Sequence, residues 1–503
     1  MPRDLPIGNG RLFVAFDKDY NLRELTYPHV GEENHARGEK SRLGIWVDGS
    51  FSWITGDWTI ARDYLDSSLV TSVVLENARL GLRVVANDAV DFEEDLYVKK
   101  LTVEDLSGAA RDVRLFLTHA FSILGNSIGD TAAYRPEASA LVHYKSDRYF
   151  LINIFSDEKP GIDLFATGNR GRPELEGTWR DAEDGVLSGN PIAQGTVDSV
   201  LCIPLRVEAS GRKVCYCWIA AGRSWEEVRA LNAQVVRRQP EAFLRRTHGF
   251  WSLWSSSGRL EPGLVPPQVA RLYERSLLIA RTLVDRDGAI VAANDSDAIL
   301  YNRDTYSYFW PRDGALVAHA FDRAGYAEIA RGFFGFCAGI IEKDGYFLHK
   351  YTPSGRPASS WHPWLKDGKA QLPIQEDETA LVLWALWRHF ELHREVDFVK
   401  GLYQPLILAA ADFMMSYRDR RTHLPLPSYD LWEERQGVLT FTASAVFGGL
   451  SAAAGFADAF GDAGRAREYR EGAGCCARRW TGTSTWRKRG GSRGWSGSRG
   501  RPS

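Results

Sequence analysis

The chain changes character at residue 222, and no other feature restricts its architecture so strongly. Before that point it breaks into short runs of alternating apolar and polar residues, rich in β-branched and aromatic side chains. These runs cover 11–16, 22–27, 69–75, 80–86, 96–103, 113–118, 149–155, 200–207 and 214–219, with turn residues between them. That spacing predicts strands, and so many of them predict a large antiparallel β-sandwich. Beyond residue 222 the period lengthens. Ser224-Trp225-Glu226-Glu227 is a capping box, in which a Ser hydroxyl and a Glu carboxylate satisfy the first free amides of a helix. Helical spacing continues towards Trp254 and breaks at Ser255-Ser256-Ser257-Gly258 and Pro266-Pro267. From Gln268 onward, Val269, Leu272, Tyr273, Ser276, Leu277, Ala280 and Leu283 fall on one helical face. Further helices are expected over 315–324, 327–341, 376–392, 398–417, 443–459 and 465–471. The expected organisation is a multidomain β + α chain. Residues 1–222 form the sandwich, 223–265 a helical linker, 266–473 a helical domain and 474–503 a tail. Trp, Arg, Asp and Glu gather between the helices, as they do when loops at one end of a helical array build a site.

A length of 503 residues exceeds one ordinary core, and 44% hydrophobic with 25% charged residues is a soluble globular composition. The opening Met1-Pro2-Arg3-Asp4-Leu5-Pro6-Ile7-Gly8 has no apolar core of signal-peptide length, and apolar runs such as 380–387 fall short of a membrane span. A cytoplasmic protein with no membrane partner is therefore expected. Cys202, Cys215, Cys217 and Cys337 lie in apolar runs and read as small buried hydrophobes. The Cys215-x-Cys217 pair lacks two further ligands nearby, so no metal is expected, and no disulfide framework either.

The formal charge of −2 conceals an asymmetry. Residues 474–503 hold seven Arg and one Lys, no Asp or Glu, and no Leu, Ile, Val or Phe. Without them 54 basic residues face 64 acidic ones, a net of −10, which argues against a nucleic acid partner. Cys475-Cys476, three Trp and repeated Gly, Arg and Ser in that tail resemble a GC-rich gene read out of frame. A frameshift or assembly error near residue 473 is the expectation. A genuine disordered basic tail is the rival, since such compositions cannot bury enough apolar surface to fold.

The chemistry concentrates in Pro427-Ser428-Tyr429-Asp430-Leu431-Trp432-Glu433-Glu434-Arg435-Gln436, where two adjacent carboxylates stand beside a Trp and a Tyr. Cleaving a glycosidic bond takes an acid for the leaving oxygen, aromatic faces for the sugar ring and a second carboxylate on the opposite side. A carboxyl flanked by an aromatic ring and another carboxyl has its pKa raised by desolvation and like charge. Glu433 is the candidate acid, with Glu434 as the alternative. Arg312-Asp313 places a rigid donor fork next to an acceptor, which suits neighbouring sugar hydroxyls. Each feature alone is ordinary: paired Glu residues usually start a solvated helix, and Arg-Asp neighbours are usually surface charges. Trp361-His362-Pro363-Trp364 fits a stacking platform or simple packing equally. Glu376-Asp377-Glu378 fits a helix start, where the dipole favours acids, as well as it fits a site.

Three segments in order resemble glycoside hydrolase family 15, the glucoamylase and glucodextranase group, in its bacterial and archaeal form. They are Tyr306-Ser307-Tyr308-Phe309-Trp310-Pro311-Arg312-Asp313-Gly314, Leu372-Pro373-Ile374-Gln375-Glu376-Asp377-Glu378-Thr379 and Tyr429-Asp430-Leu431-Trp432-Glu433-Glu434. The resemblance extends to Leu5-Pro6-Ile7-Gly8-Asn9-Gly10 and the Trp53 region, and so covers nearly everything up to residue 473. It implies a super-sandwich joined by helices to an (α/α)6 barrel of about twelve helices, of which this chain supplies about seven. It also implies inverting hydrolysis that releases β-glucose from the non-reducing ends of maltodextrin or related α-glucans, a glucan 1,4-α-glucosidase activity without metal or organic cofactor. By position in the motifs, Glu433 would be the general acid. Arg312 and Asp313 would grip the terminal glucose, Tyr306 and Trp310 would contact its ring, and Trp432 and Glu434 would line the neighbouring sugar site.

Two departures stand out. Fungal members carry an aromatic shortly before the second motif, where this chain has Lys369-Ala370-Gln371-Leu372-Pro373, so Trp361 or Trp364 would have to substitute. The family's general base lies late in the barrel, and no candidate base follows Glu471, so an impaired enzyme with an open, poorly soluble barrel is expected. The alternatives are a trehalase or other α-glucosidase of the family, a glycoside phosphorylase, and an inactive remnant that binds glucan or maltooligosaccharide.

Overall fold

The computed structural model describes residues 5–172, 175–258, 260–261, 263–294, 305–360, 364–366 and 368–483. The chain divides into two compact units. One comprises Met1–Ile340, Leu348–Leu372 and Arg388–Glu395; the other comprises Ile341–Phe347, Pro373–Trp387 and Val396–Ser503.

The first unit holds the predicted antiparallel sheets. A ten-stranded sheet has at its centre Arg148–Ser156, Arg212–Gly222, Leu96–Asp105, Leu82–Val90 and Thr71–Asn77, paired antiparallel in that order. A six-stranded sheet runs through Leu164–Arg172, Val197–Val207, Arg111–Ala120, Leu43–Val47 and Ser50–Trp53. Four short strands from Leu5–Gly8 to Glu32–Asn34 form a third. Alternation does what it should: Val73, Leu75, Val84, Leu101, Val103, Leu115, Leu201 and Ile203 are buried in one core. Cys202, Cys215, Cys217 and Cys337 are buried thiols, with burial pushing Cys202 and Cys217 up to about 12.

The capping box opens α1 (Trp225–Arg238): Ser224 Oγ accepts from the Glu227 amide at 3.2 Å, and Glu227 Oε2 accepts from the Arg223 amide at 2.7 Å. After Gln239 the chain continues as α2 (Pro240–Ser257). Both helices pack on the large sheet, where Val228, Val235, Phe243 and Leu244 share a core with Leu96, Val98 and Trp218. The residue 222 switch therefore marks a change of secondary structure inside one compact unit.

Then follow α3 (Pro267–Arg281), α4 (Pro311–Arg323), α5 (Ala327–Ile340), α6 (Glu376–His393), α7 (Val396–Leu402), α8 (Ala409–Ser416), α9 (Thr440–Ala459) and α10 (Ala463–Thr483). These α3–α10 helices of the described residues are fewer than the twelve of a complete (α/α)6 barrel. The single helix expected over 398–417 is instead α7 and α8 joined by a π-helical turn, Tyr403–Leu408. Pro405 lies in that turn, and having no N–H it cannot keep the α ladder.

The apolar face of α3 is partly open: Leu272 is 67% exposed, Val269 is exposed too, and Leu278 is the buried residue. One expectation needs revision. The texture break at 474 is no structural break, because α10 passes through Gly474 to Thr483. Ala466, Tyr469, Ala473 and Cys476 are buried along it at helical spacing, and Cys476 Sγ donates to the Ala443 carbonyl of α9 at 3.3 Å. The expected tail from 484 onward lies outside the described residues. By length and composition α9 could cross a membrane, but 61% of its apolar window is buried within the protein, as for a core helix.

Candidate active site

In the first unit, Tyr306, Trp310, Arg312 and Asp313 lie on a segment that runs into α4. Its backbone is held on both sides. Ala292 and Ala293 donate to the Tyr308 and Tyr306 carbonyls, and Phe309 exchanges two 2.9 Å bonds with Tyr351. Pro311 starts the helix, where a missing N–H costs nothing. Arg312 is buried and Asp313 half-exposed, with Nε and Oδ2 3.7 Å apart. Gly314 has a packing reason: a Cβ there would come within 2.4 Å of the Phe333 ring of α5.

The aromatic residues form a connected group. Tyr306 lies 6.3 Å and Tyr308 5.7 Å from Trp310, ring centre to ring centre. His349 stands edge-on to Trp310 at 6.4 Å and meets Trp364 at 5.5 Å. The Lys350 ammonium sits 4.1 Å over Tyr308 and 5.6 Å from the Trp310 centre. Trp364 thus joins the group through His349, whereas Trp361 lies outside the described residues. A cavity of about 370 Å³ adjoins this segment, lined by Glu24, Glu32, Asn34, Thr305, Ser307 and Tyr308 among others.

In the second unit, Glu433 sits at the tip of a hairpin whose strands are Ser428–Tyr429 and Gln436–Gly437. Asp430 organises the six-residue tip. Its amide donates to the Arg435 carbonyl at 2.8 Å, its carbonyl accepts from the Glu433 amide at 2.9 Å, and its Oδ1 accepts from the Glu434 amide at 2.8 Å. The turn forces Glu433 to φ +60°, a left-handed conformation that a Glu adopts only when its surroundings hold it there. Trp432 is 76% exposed and Glu434 is exposed beside it. The Gln375 side-chain amide donates to the Asp430 carbonyl, tying the hairpin to the start of α6.

Gln375, Glu376, Asp377 and Glu378 are all fully buried there. Neither Glu376 oxygen accepts a hydrogen bond among the described residues. Burial raises its pKa well above the ordinary carboxyl value and the neighbouring Asp377 adds to this, while Arg418 opposes it. The acidic run is thus a helix start, but not the solvated one its composition suggests.

The sequence motifs include neither His349 nor Lys350, which stand against the 306–310 aromatics, and they include Asp430, which shapes the Glu433 turn, without giving it a role. Adjacency to Trp310 in space is invisible in sequence. Asp430, however, carried a signal: an Asp three residues before Glu433 is a common turn former.

Residues 270–498 match the family model for glycosyl hydrolases family 15. A glycosyl hydrolase of Methanocaldococcus jannaschii of uncharacterised activity is 25% identical over 89% of this chain and 68% of its own length. A bacterial glucoamylase solved in complex with acarbose superposes with a TM-score of 0.72 at 18% identity, covering 93% of this chain and 65% of that one. A putative kojibiose phosphorylase from the human microbiome reaches 0.54 at 9% identity, over 95% of this chain and 67% of its own. The chain thus spans about two thirds of the length of these relatives. With the sheet-rich first half, the helical second half and the three motifs on one chain, the protein resembles glycosyl hydrolases family 15, whose family model its residues 270–498 match.

Proposed function

We propose that this chain is a glucoamylase-type glycosidase that binds the non-reducing end of an α-glucan such as a maltodextrin and protonates the glycosidic oxygen from Glu433. The observation that carries the reading is the hairpin tip, which presents Glu433 from a constrained left-handed turn between an open Trp432 ring and a second carboxylate. Arg312 and Asp313, beside the Tyr306, Trp310 and Trp364 aromatics, supply the donors, acceptor and ring faces that a terminal glucose requires. The acarbose complex of the bacterial glucoamylase supports a glucan or oligosaccharide as the substrate class.

Inversion needs a base about 6.5–9.5 Å from the acid to activate water. No residue of this chain is assigned that role. A general base contributes about 100-fold to 10,000-fold to such a reaction. The test is glucose release from maltotetraose by the 503-residue chain, with the product anomer followed by polarimetry. β-Glucose, lost in Glu433→Gln, supports the reading; equal rates in the two proteins overturn it. Competition between trehalose and maltose separates a trehalase from this assignment.

The fold likeness to a putative phosphorylase favours one second reading, in which phosphate replaces the base and water. Glucose 1-phosphate formed only when phosphate is added would decide for it. Tight maltooligosaccharide binding without turnover, indifferent to Glu433→Gln, would mark a binding remnant instead.

A further inference from the structure

The last turn of α6 carries two histidines, His389 and His393, spaced i and i+4 so that both rings face the same way. They meet Asp322, near the end of α4. His389 Nδ1 lies 2.9 and 3.1 Å from the two Asp322 oxygens, and His393 Nε2 lies 3.3 Å from Oδ1. All three ligand atoms fall within 4.8 Å of one another. Asp322 and His389 are fully buried and His393 partly so. A tetrahedral ion with bonds of about 2.0 Å separates its ligand atoms by roughly 3.3 Å, close to the spacings found.

The far side of His389 sharpens the case. Its Nε2 faces Glu395 Oε2 at 3.5 Å, and Arg331 holds the other Glu395 oxygen at 2.6 Å. A neutral imidazole has one N–H and cannot donate to carboxylates on both sides. A cation on Nδ1 would leave Nε2–H directed at Glu395; a second ring proton would also serve both carboxylates, and the metal titration below separates the two. A carboxylate behind a ligating histidine is how such ligands are oriented.

We propose that Asp322, His389 and His393 form a divalent-metal site of the zinc class, with Glu395 as its positioning residue and water completing the coordination. Two nitrogens and one oxygen suit zinc better than magnesium or calcium, which prefer all-oxygen shells. Asp322 is nine residues along α4 from Asp313, about 14 Å at the helical rise, so the ion is structural and fastens the end of α4 to the end of α6. This inference does not rest on the sugar-cleaving assignment, and it departs from the expectation of no metal.

A second cluster, His29, Asp285 and Asp287, fails by comparison. Asp285 is already occupied by the Val30 and Asp287 amides at 2.9 Å each, and Asp287 is 71% exposed. It serves as the internal control.

The test uses the full chain, freed of metal by EDTA dialysis and titrated with ZnCl2 and with CoCl2. One equivalent of zinc, a rise in melting temperature and the strong visible absorption of four-coordinate Co(II) are expected, with no such response to MgCl2. His393→Gln should abolish the Co(II) band, Glu395→Gln should weaken binding about 10- to 100-fold, and His29→Gln should change nothing. No stoichiometric uptake by the folded chain, or uptake that His393→Gln leaves intact, overturns the site. Should His393→Gln lose its circular dichroism signature, Glu395→Gln decides: unchanged affinity overturns the proposal, and weakened affinity upholds it.

Discussion

The Glu433 amide donates to the Asp430 carbonyl at 2.9 Å, and that bond, with the Asp430 carboxylate accepting from Glu434 at 2.8 Å, holds the candidate acid in a left-handed turn. Replacing Asp430 by Ala removes the side-chain acceptor and leaves the strands of the hairpin. The loop should then sample other conformations, costing about 1 kcal/mol locally and reducing hydrolysis roughly 10- to 100-fold. Asp430→Asn keeps an acceptor at the same place and should recover most of the rate. Equal activity in Asp430→Ala and the parent would show that the turn does not position Glu433.

Trp432 makes a cleaner separation between binding and folding. It is 76% exposed, so Trp432→Ala should move the melting temperature little, surface changes of this kind lying within about 0.5 kcal/mol. An aromatic face against a sugar ring contributes about 0.5–1.5 kcal/mol, and the maltotetraose dissociation constant should therefore rise about 2- to 13-fold. Calorimetric titration measures it, and unchanged affinity would remove Trp432 from the sugar site.

Strands were the most readable elements because their signal is local. Val73 and Leu75 alternate with polar neighbours, and each of the nine alternating runs proves to lie in or overlap a strand. The edge strand Thr59–Tyr64, with polar and half-exposed residues, gives no such contrast in sequence. On α3 the helical period gave the helix, while amphipathicity says which face seeks cover and not whether cover is present. The Glu433 motif was readable as a contiguous string of residue types. Asp322 with His389 was not: 67 residues separate them, and only the fold brings them to 2.9 Å.

Glu376 should make the protein less stable as pH rises. Its folded pKa lies above the ordinary carboxyl value near 4.5, so between that value and its folded pKa the native state holds a proton that the unfolded chain has lost. Stability relative to Glu376→Gln then falls by about 1.4 kcal/mol per pH unit across that window. Glu376→Gln, which keeps the shape without the ionisation, should be the more stable protein at neutral pH and should match the parent below about pH 4. Denaturant titrations at pH 4 and pH 7 measure the difference. A Gln variant less stable at pH 7 would mean that the ionised carboxylate is wanted there.

His35 acts in the opposite direction and in the other unit. Its ring is fully buried, with Nε2 2.7 Å from the Tyr27 carbonyl and Nδ1 accepting from the Leu124 amide at 3.2 Å. One nitrogen must donate and the other accept, which only the neutral ring can do, and burial lowers its pKa from 6.5 to about 3. Between those values the unfolded chain binds the proton and the native protein does not. The stability that His35 contributes is therefore complete above about pH 6.5 and is lost at about 1.4 kcal/mol per unit as the pH falls towards 3. His119, also fully buried and lowered to about 3, adds a second loss over the same window. The sheet-rich unit should accordingly lose its near-ultraviolet circular dichroism steeply between pH 6 and pH 4. In His35→Gln that slope should be shallower and the stability at neutral pH lower, since an amide can donate and accept in the same way but fills less of the space against Phe150. An unchanged slope would show that His35 keeps the same protonation in both states, contrary to its bonds.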